Sequence, residues 1–156
     1  MKRLYLMRHA HAPTMSEAGV AADALRPLSE QGREDARLLA AELARRGGAP
    51  TLILHSPLLR AVQTAAEVAA VLKPGSGAEM FAALDNTRPA EEVRREISAR
   101  AASVSEVLAV GHQPQIGEVA ALIAKRLFEM RPAAIVAIEL SPAPRVLWTL
   151  SPEQTQ

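Results

Sequence analysis

The sequence predicts an α/β fold, a three-layer sandwich in which a mostly parallel central sheet carries helices on both faces. Short apolar runs alternate with segments of helical periodicity through most of the chain, as strands joined by helical crossovers do. The runs at residues 4–7, 52–54 and 107–110 are continuously apolar, as expected of strands buried on both sides. The length, 156 residues, suits one domain with a substantial core and leaves no room for a second. We expect 1–150 to form that domain and 151–156 to be a short polar, disordered tail.

The elements follow in order. Residues 3–7 read as the first strand, followed by a loop over 10–28 rich in Ala, Pro and Gly. Ser29 is placed to cap a helix over 30–46, whose apolar stripe is Ala36, Leu39, Ala40 and Leu43 and whose stop is Gly47-Gly48. A strand over 51–55 leads into a helix over 58–72 with Val62, Ala65, Ala66 and Ala69 inward, ended by the turn at 73–77. A short strand over 78–81 and a loop through 85–89 precede a helix over 90–102 that buries Val93, Ile97 and Ala101. Residues 107–110 form the next strand and 114–127 the next helix. The segments 135–140 and 146–150 read as a closing pair, expected antiparallel at one edge.

Composition excludes several classes of function. Net charge is +1 and aromatics are 3%, so there is neither a basic field nor a stacking platform for nucleic acid or an anionic membrane. No apolar segment is long enough for a membrane span, and the apolar run after Lys2-Arg3 is too short for a signal peptide, which makes the cytoplasm the expected location. The absence of cysteine excludes disulfides, thiolate catalysis and Cys-based zinc sites.

Three strand ends carry the chemistry. The first strand runs into Arg8-His9-Ala10-His11, the second into His55-Ser56-Pro57-Leu58-Leu59-Arg60, and the fourth into Gly111-His112-Gln113-Pro114. Open α/β sheets place ligands at the carboxyl ends of their strands, so Arg8, His9, Arg60 and His112 are presented toward one pocket. Two planar guanidinium forks, a histidine and a helix amino terminus describe a site for a tetrahedral oxyanion. A neutral imidazole there can attack phosphorus. His9 is the candidate nucleophile, Arg8 and Arg60 the clamps, and His112 the holder of a third oxygen. His11 and Arg26 are candidates for the rim and for substrate binding, while Gln63 and Thr64 are placed to orient Arg60 or the loops. His55 is read as structural. Ser56 lacks a Gly-x-Ser-x-Gly elbow and is no serine nucleophile, and Gly75-Ser76-Gly77 is too short for a phosphate-binding loop. The His9-x-His11 pair invites a metal reading, but the barrel hydrolases that carry such a pair need ~250 residues and no carboxylates stand at ligand spacing.

With these residues in place the chain resembles the histidine phosphatase superfamily, of phosphoglycerate mutase-like fold. The resemblance rests on Arg8-His9, on Ser56 to Ala65, on Gly111-His112 and on Pro27-Leu28-Ser29-Glu30-Gln31-Gly32-Arg33, which is similar to the opening of that family's first helix. Small size and the style of the motifs are most similar to the SixA-type phosphohistidine phosphatases. The resemblance implies hydrolysis through a phosphohistidine intermediate on His9, with no metal or organic cofactor, and a role in signal transduction. Its implied partner is a phosphorylated protein such as a histidine phosphotransfer domain, or else a small phosphate ester. Two departures stand out. Ala10 occupies a position where the family carries glycine, and alanine stands at position 83, where members acting on alkyl phosphates carry a proton-donating glutamate. Asp85 is the nearest remaining carboxylate and Glu79 a poorer one. An alkoxide leaving group needs that proton far more than imidazole does, so the loss favours a P–N bond. The competing readings are a phosphatase of small phosphomonoesters on the same scaffold and, from another class, a phosphate- or phosphoprotein-binding module without turnover.

Overall fold

The computed structural model describes residues 1–155; Gln156, the last residue of the expected tail, lies outside the described residues. Six strands, β1 (Arg3–Arg8), β2 (Leu52–His55), β3 (Ala78–Met80), β4 (Glu106–Gly111), β5 (Ile135–Glu139) and β6 (Arg145–Leu150), form one sheet in the order β3-β2-β4-β1-β5-β6. The first four are mutually parallel, with Arg3 to Arg8 of β1 in register with Glu106 to Gly111 of β4. β5 runs antiparallel to both β1 and β6, so the closing pair stands at one edge as its short connection requires.

Alternation along the strands sorts the core. Tyr5 and Met7 of β1 join Leu108 and Val110 of β4 against the helices α2 (Glu30–Arg45) and α3 (Leu59–Leu72). Leu4 and Leu6 join Val107 and Ala109 against α4 (Ala90–Arg100) and α5 (Gln115–Ala124). Both faces are therefore covered, and the interior strands are apolar along their middles, with charged residues and His55 only at their ends, for that reason. Each fully buried Leu or Ile contributes ~1.5–3 kcal/mol, and truncating Leu39 or Ile97 to alanine is a cavity-forming change of ~2–5 kcal/mol.

The crossovers decide where a crevice opens. The chain leaves β1 and β2 for helices on one face, and leaves β3 and β4 for helices on the other. At the carboxyl end of β4 it departs opposite to its neighbours on either side, which is the switch point where doubly wound sheets bind ligands.

Four local features differ from the sequence expectation. The buried face of α3 is Arg60, Ala61, Thr64, Ala65 and Val68, so of the four residues expected inward only Ala65 is fully buried, Val62 and Ala69 are half-buried and Ala66 is exposed. The loop over 10–28 contains a short helix, α1 (Met15–Ala18), because Thr14 and Glu17 form a reciprocal capping box and Gly19 closes it in the left-handed region at φ 67°. α5 ends at Ala124 rather than 127, since Lys125 takes φ 57° and turns the chain away. Beyond β6, Pro152–Gln154 forms a 3₁₀ turn with Pro152 buried, so the described part of the expected tail is ordered against the domain.

Candidate active site

β1 delivers Arg8 and His9 to the crevice. The ladder continues one residue past the strand, His9 N–H donating to Gly111 O at 2.9 Å, while the N–H of Ala133 is shared between the carbonyls of Arg8 and His9, 3.1 Å from each. His9 is buried, and its Nδ1 lies 2.7 Å from Ala10 O. A carbonyl oxygen only accepts, so Nδ1 carries the proton and Nε2 keeps its lone pair. Burial, with the nearby His112, Arg60 and Arg8 adding to it, pushes the His9 pKa down to about 3, so the imidazole is neutral at physiological pH.

The Ala10 backbone that orients His9 is itself held. Its N–H donates to Thr64 Oγ1 at 3.0 Å, and that hydroxyl donates to Arg60 O at 2.7 Å. Thr64 thus ties the loop after β1 to the first turn of α3, in keeping with the orienting role expected of it. Gln63 Oε1 accepts from Leu28 N–H at 2.8 Å and fixes the far end of the same loop. Ala10 avoids the left-handed region and its methyl joins the core, so the missing glycine costs the loop no strain.

Arg60 sits at the second position of α3 and is 7% exposed. Its Nη1 donates to Asp23 O at 2.9 Å and its Nη2 to Asp23 Oδ2 at 3.0 Å. Arg8 donates Nη1 to Met130 O at 3.0 Å and has no carboxylate partner; burial first, then Arg60, lowers its pKa. His112 packs with its ring centroid 5.1 Å from that of His9, and its Nε2 lies 2.7 Å from Ser56 Oγ. Burial and Arg60 bring its pKa down to about 4, with Asp23 and Asp85 opposing. Three buried nitrogens of this cluster, Arg8 Nε, Arg60 Nε and His112 Nδ1, have no partner in the protein. Buried donors of that kind are costly unless a ligand's oxygens accept from them.

The structure therefore brings Arg8, His9, Arg60 and His112 together, and the other candidates lie around them in different ways. The exposed His11 places Nδ1 2.7 Å from Ser29 Oγ, the hydroxyl that also caps α2 through Gly32 N–H. Gly32 is required there, because a Cβ would stand 2.2 Å from His11 O. Arg26 is spent on its own loop, donating to Pro13 O, Ala12 O and Asp23 Oδ1. Asp85 Oδ1 accepts from the N–H and hydroxyl of Thr87 in a local turn, near enough to His112 to favour its charged form. Ala83 is buried and, as a methyl, supplies no proton donor. His55 is buried with Nδ1 donating to Ser56 O at 2.9 Å.

Sequence reasoning missed three supports: Ser56 as the partner of His112, Asp23 as the partner of Arg60, and Asn86. The Asn86 amide donates to Gln113 O at 3.0 Å and accepts from Gln115 N–H at 3.1 Å, pinning the turn that carries His112. Nothing in the local sequence marks these residues, because each acts on a partner at least 27 positions away.

Known proteins resemble this chain in sequence and in fold. Phosphohistidine phosphatase SixA of Escherichia coli (strain K12) is 29% identical over 155 residues, covering 96% of this chain and 94% of its own. An uncharacterized protein of Picosynechococcus sp. is 36% identical over 122 residues, 78% of this chain and 72% of that one. The structure of the protein histidine phosphatase SixA complexed with tungstate superposes with a TM-score of 0.87 at 28% identity, covering 99% of both chains. The histidine phosphatase superfamily (branch 1) matches over residues 4–86, more than half of the sequence, and it is to this family that the chain belongs.

Proposed function

We propose that this protein is a phosphohistidine phosphatase that works through a covalent phosphoryl intermediate on His9. One observation carries the reading: a buried imidazole with its Nδ1 proton held by Ala10 O faces a cluster of cationic donors without a carboxylate on Arg8 or His112. Similarity to SixA supports the substrate class.

The steps follow from the geometry. His9 Nε2 attacks phosphorus in line, forming a P–N bond while the bond to the leaving nitrogen breaks. Arg8, Arg60 and His112 hold the three equatorial oxygens, where charge is spread in the transition state. His112 gains a proton most readily when the phosphoryl dianion enters, since that charge offsets the neighbouring guanidinium groups. The substrate's imidazole, carrying a proton on its other ring nitrogen, departs as neutral imidazole, whose conjugate acid has a pKa near 6.5, and so leaves with little help. Water then attacks the phosphoenzyme, releases phosphate and restores His9. A phosphorylated protein is the substrate that this reading favours, with a histidine phosphotransfer domain as the expected kind.

The test is a rapid, acid-free quench with labelled phosphohistidine protein. Wild type should trap one phosphoryl group per chain, and His9→Ala should trap none and lose turnover by at least ~10³-fold. A His9→Ala protein that keeps its activity would remove covalent catalysis at His9. Faster turnover of alkyl or aryl phosphates than of phosphohistidine protein would replace the substrate class with small phosphomonoesters.

A further inference from the structure

Arg60 makes its protein contacts through one edge of its guanidinium. Asp23 takes that edge twice, with its backbone oxygen on Nη1 at 2.9 Å and its carboxylate on Nη2 at 3.0 Å. A guanidinium has a second bidentate edge, made of Nε–H and the remaining Nη2 hydrogen. In Arg60 the Nε on that edge is buried and has no protein partner. The planar group cannot turn one edge without turning the other, so whatever grips the first decides where the second points. Asp23 lies on a 3₁₀ turn, Asp23–Leu25, and its other carboxylate oxygen accepts from Arg26 Nη1 at 3.1 Å. Arg26 in turn holds Pro13 O at 2.8 Å and Ala12 O at 3.1 Å, which braces the turn on the loop just past His9.

We propose that Asp23 is a positioning residue for the phosphoryl site, holding the outer edge of Arg60 so that its Nε edge faces the oxygens carried by His9. The proposal rests on the phosphatase reading given above. The Asp23 side chain is 55% exposed while that of Arg60 is 9% exposed, so the pair sits at the rim, where the carboxylate reaches the clamp without entering the pocket. The carboxylate also lies near His112, so it keeps a negative charge beside the two guanidinium groups of the site. Removing it should therefore affect two kinds of anion differently. A trigonal bipyramidal oxyanion needs the Arg60 edge in place, whereas inorganic phosphate responds mainly to the overall charge of the site.

The experiment uses Asp23→Ala and Asp23→Asn, with thermal melting to check that both fold. Asp23→Ala is expected to lower kcat about tenfold, with KM changed less than about threefold, since the lost alignment matters most in the transition state. Inhibition by vanadate should weaken by a similar factor, while inhibition by inorganic phosphate stays constant or tightens. Asp23→Asn keeps an acceptor for Nη2 and should recover part of kcat and of vanadate affinity. Equal weakening of both anions, or a kcat within twofold of wild type in Asp23→Ala, would overturn the proposal. So would an asparagine variant no better than alanine. Phosphoenzyme trapping separates the two levels: Asp23→Ala should still label His9, only more slowly, whereas absence of label in wild type would remove the phosphatase reading itself.

Discussion

Arg3 and Arg8 stand at the two ends of β1, and the protein treats them in opposite ways. At the amino end Arg3 pairs with Glu139 at 3.5 Å, and Tyr5 in the same cluster donates its hydroxyl to Glu106 at 2.5 Å. The Tyr5 hydrogen bond, helped by Glu106 and Glu139, raises the Arg3 pKa. At the carboxyl end Arg8 meets a backbone carbonyl, a second arginine and two imidazoles, and its pKa is lowered by burial and by Arg60. Each arginine has a buried Nε without a protein partner, so an unpaired nitrogen does not by itself mark a site. The difference is countercharge. Arg3 is neutralised inside the fold, whereas Arg8 is left for an anion to neutralise. Under the proposed function the open end costs stability until an anion binds, whereas the other end is closed by ordinary ion pairing.

The sharpest way to break this comparison is to truncate both arginines. Arg8→Ala is expected to lower kcat/KM by about 10²–10³-fold, and Arg8→Lys should recover little, because an ammonium lacks the bidentate fork. Arg3→Ala should stay within about twofold in activity and lose about 1 kcal/mol of stability in denaturant titration. Similar kinetic losses for the two would show that the ends of β1 do not differ in function.

The leaving group gives the next effect. Asp85→Asn should slow alkyl phosphates by about tenfold or more relative to phosphohistidine protein, because only an alkoxide demands a proton. Equal losses on the two substrates, in steady-state rates at several pH values, would give Asp85 a binding or loop role.

The two imidazoles sharpen the comparison through pH. Their folded-state pKa values, about 3 for His9 and about 4 for His112, lie below the unfolded value near 6.5. Their contribution to stability is therefore fully present above pH ~6.5 and is lost as pH falls from there toward 4 and 3. Thermal melts should show Tm declining over that window, with a shallower decline in His112→Asn. NMR titration should find neither ring protonating near pH 6.5. A bound phosphate analogue should raise the His112 value.

The smallest effect belongs to the amino end. Tyr5→Phe removes a buried hydroxyl from Glu106, which still accepts from Ala49 N–H at 3.1 Å. A loss of about 1–2 kcal/mol with unchanged kcat is expected, checked by denaturant midpoint and turnover. A change in kcat would mean that the two ends of the strand are coupled.

Much of the molecule is legible in its sequence because the signals are local. Continuous apolar runs mark β1, β2 and β4, the stripe through Ala36, Leu39, Ala40 and Leu43 marks α2, and Ser29 marks its start. Strand-end position then places Arg8, His9, Arg60 and His112 on one side of the sheet before any contact is known. α1 is missed because four residues are too few to show a helical period against an Ala- and Gly-rich background. The turn at Pro152–Gln154 is missed because its composition is that of a tail, although a local capping box between Ser151 and Gln154 and the burial of Pro152 hold it.

What the sequence by itself determined is the fold class, the order of the elements and which side chains gather at the strand ends as the proposed phosphoryl site, since periodicity and strand-end position are properties of neighbouring residues. The tertiary structure alone decided how those side chains are held. Which His9 nitrogen is free depends on Ala10 O, the edge Arg60 offers depends on Asp23, and the setting of His112 depends on Ser56 and Asn86. It also decided which arginine of β1 is neutralised, because Glu139 and Glu106 reach the amino end of β1 through strand pairings, from more than 100 positions away. Charge and hydrogen-bond geometry are set by neighbours in space, and sequence spacing carries almost no record of them.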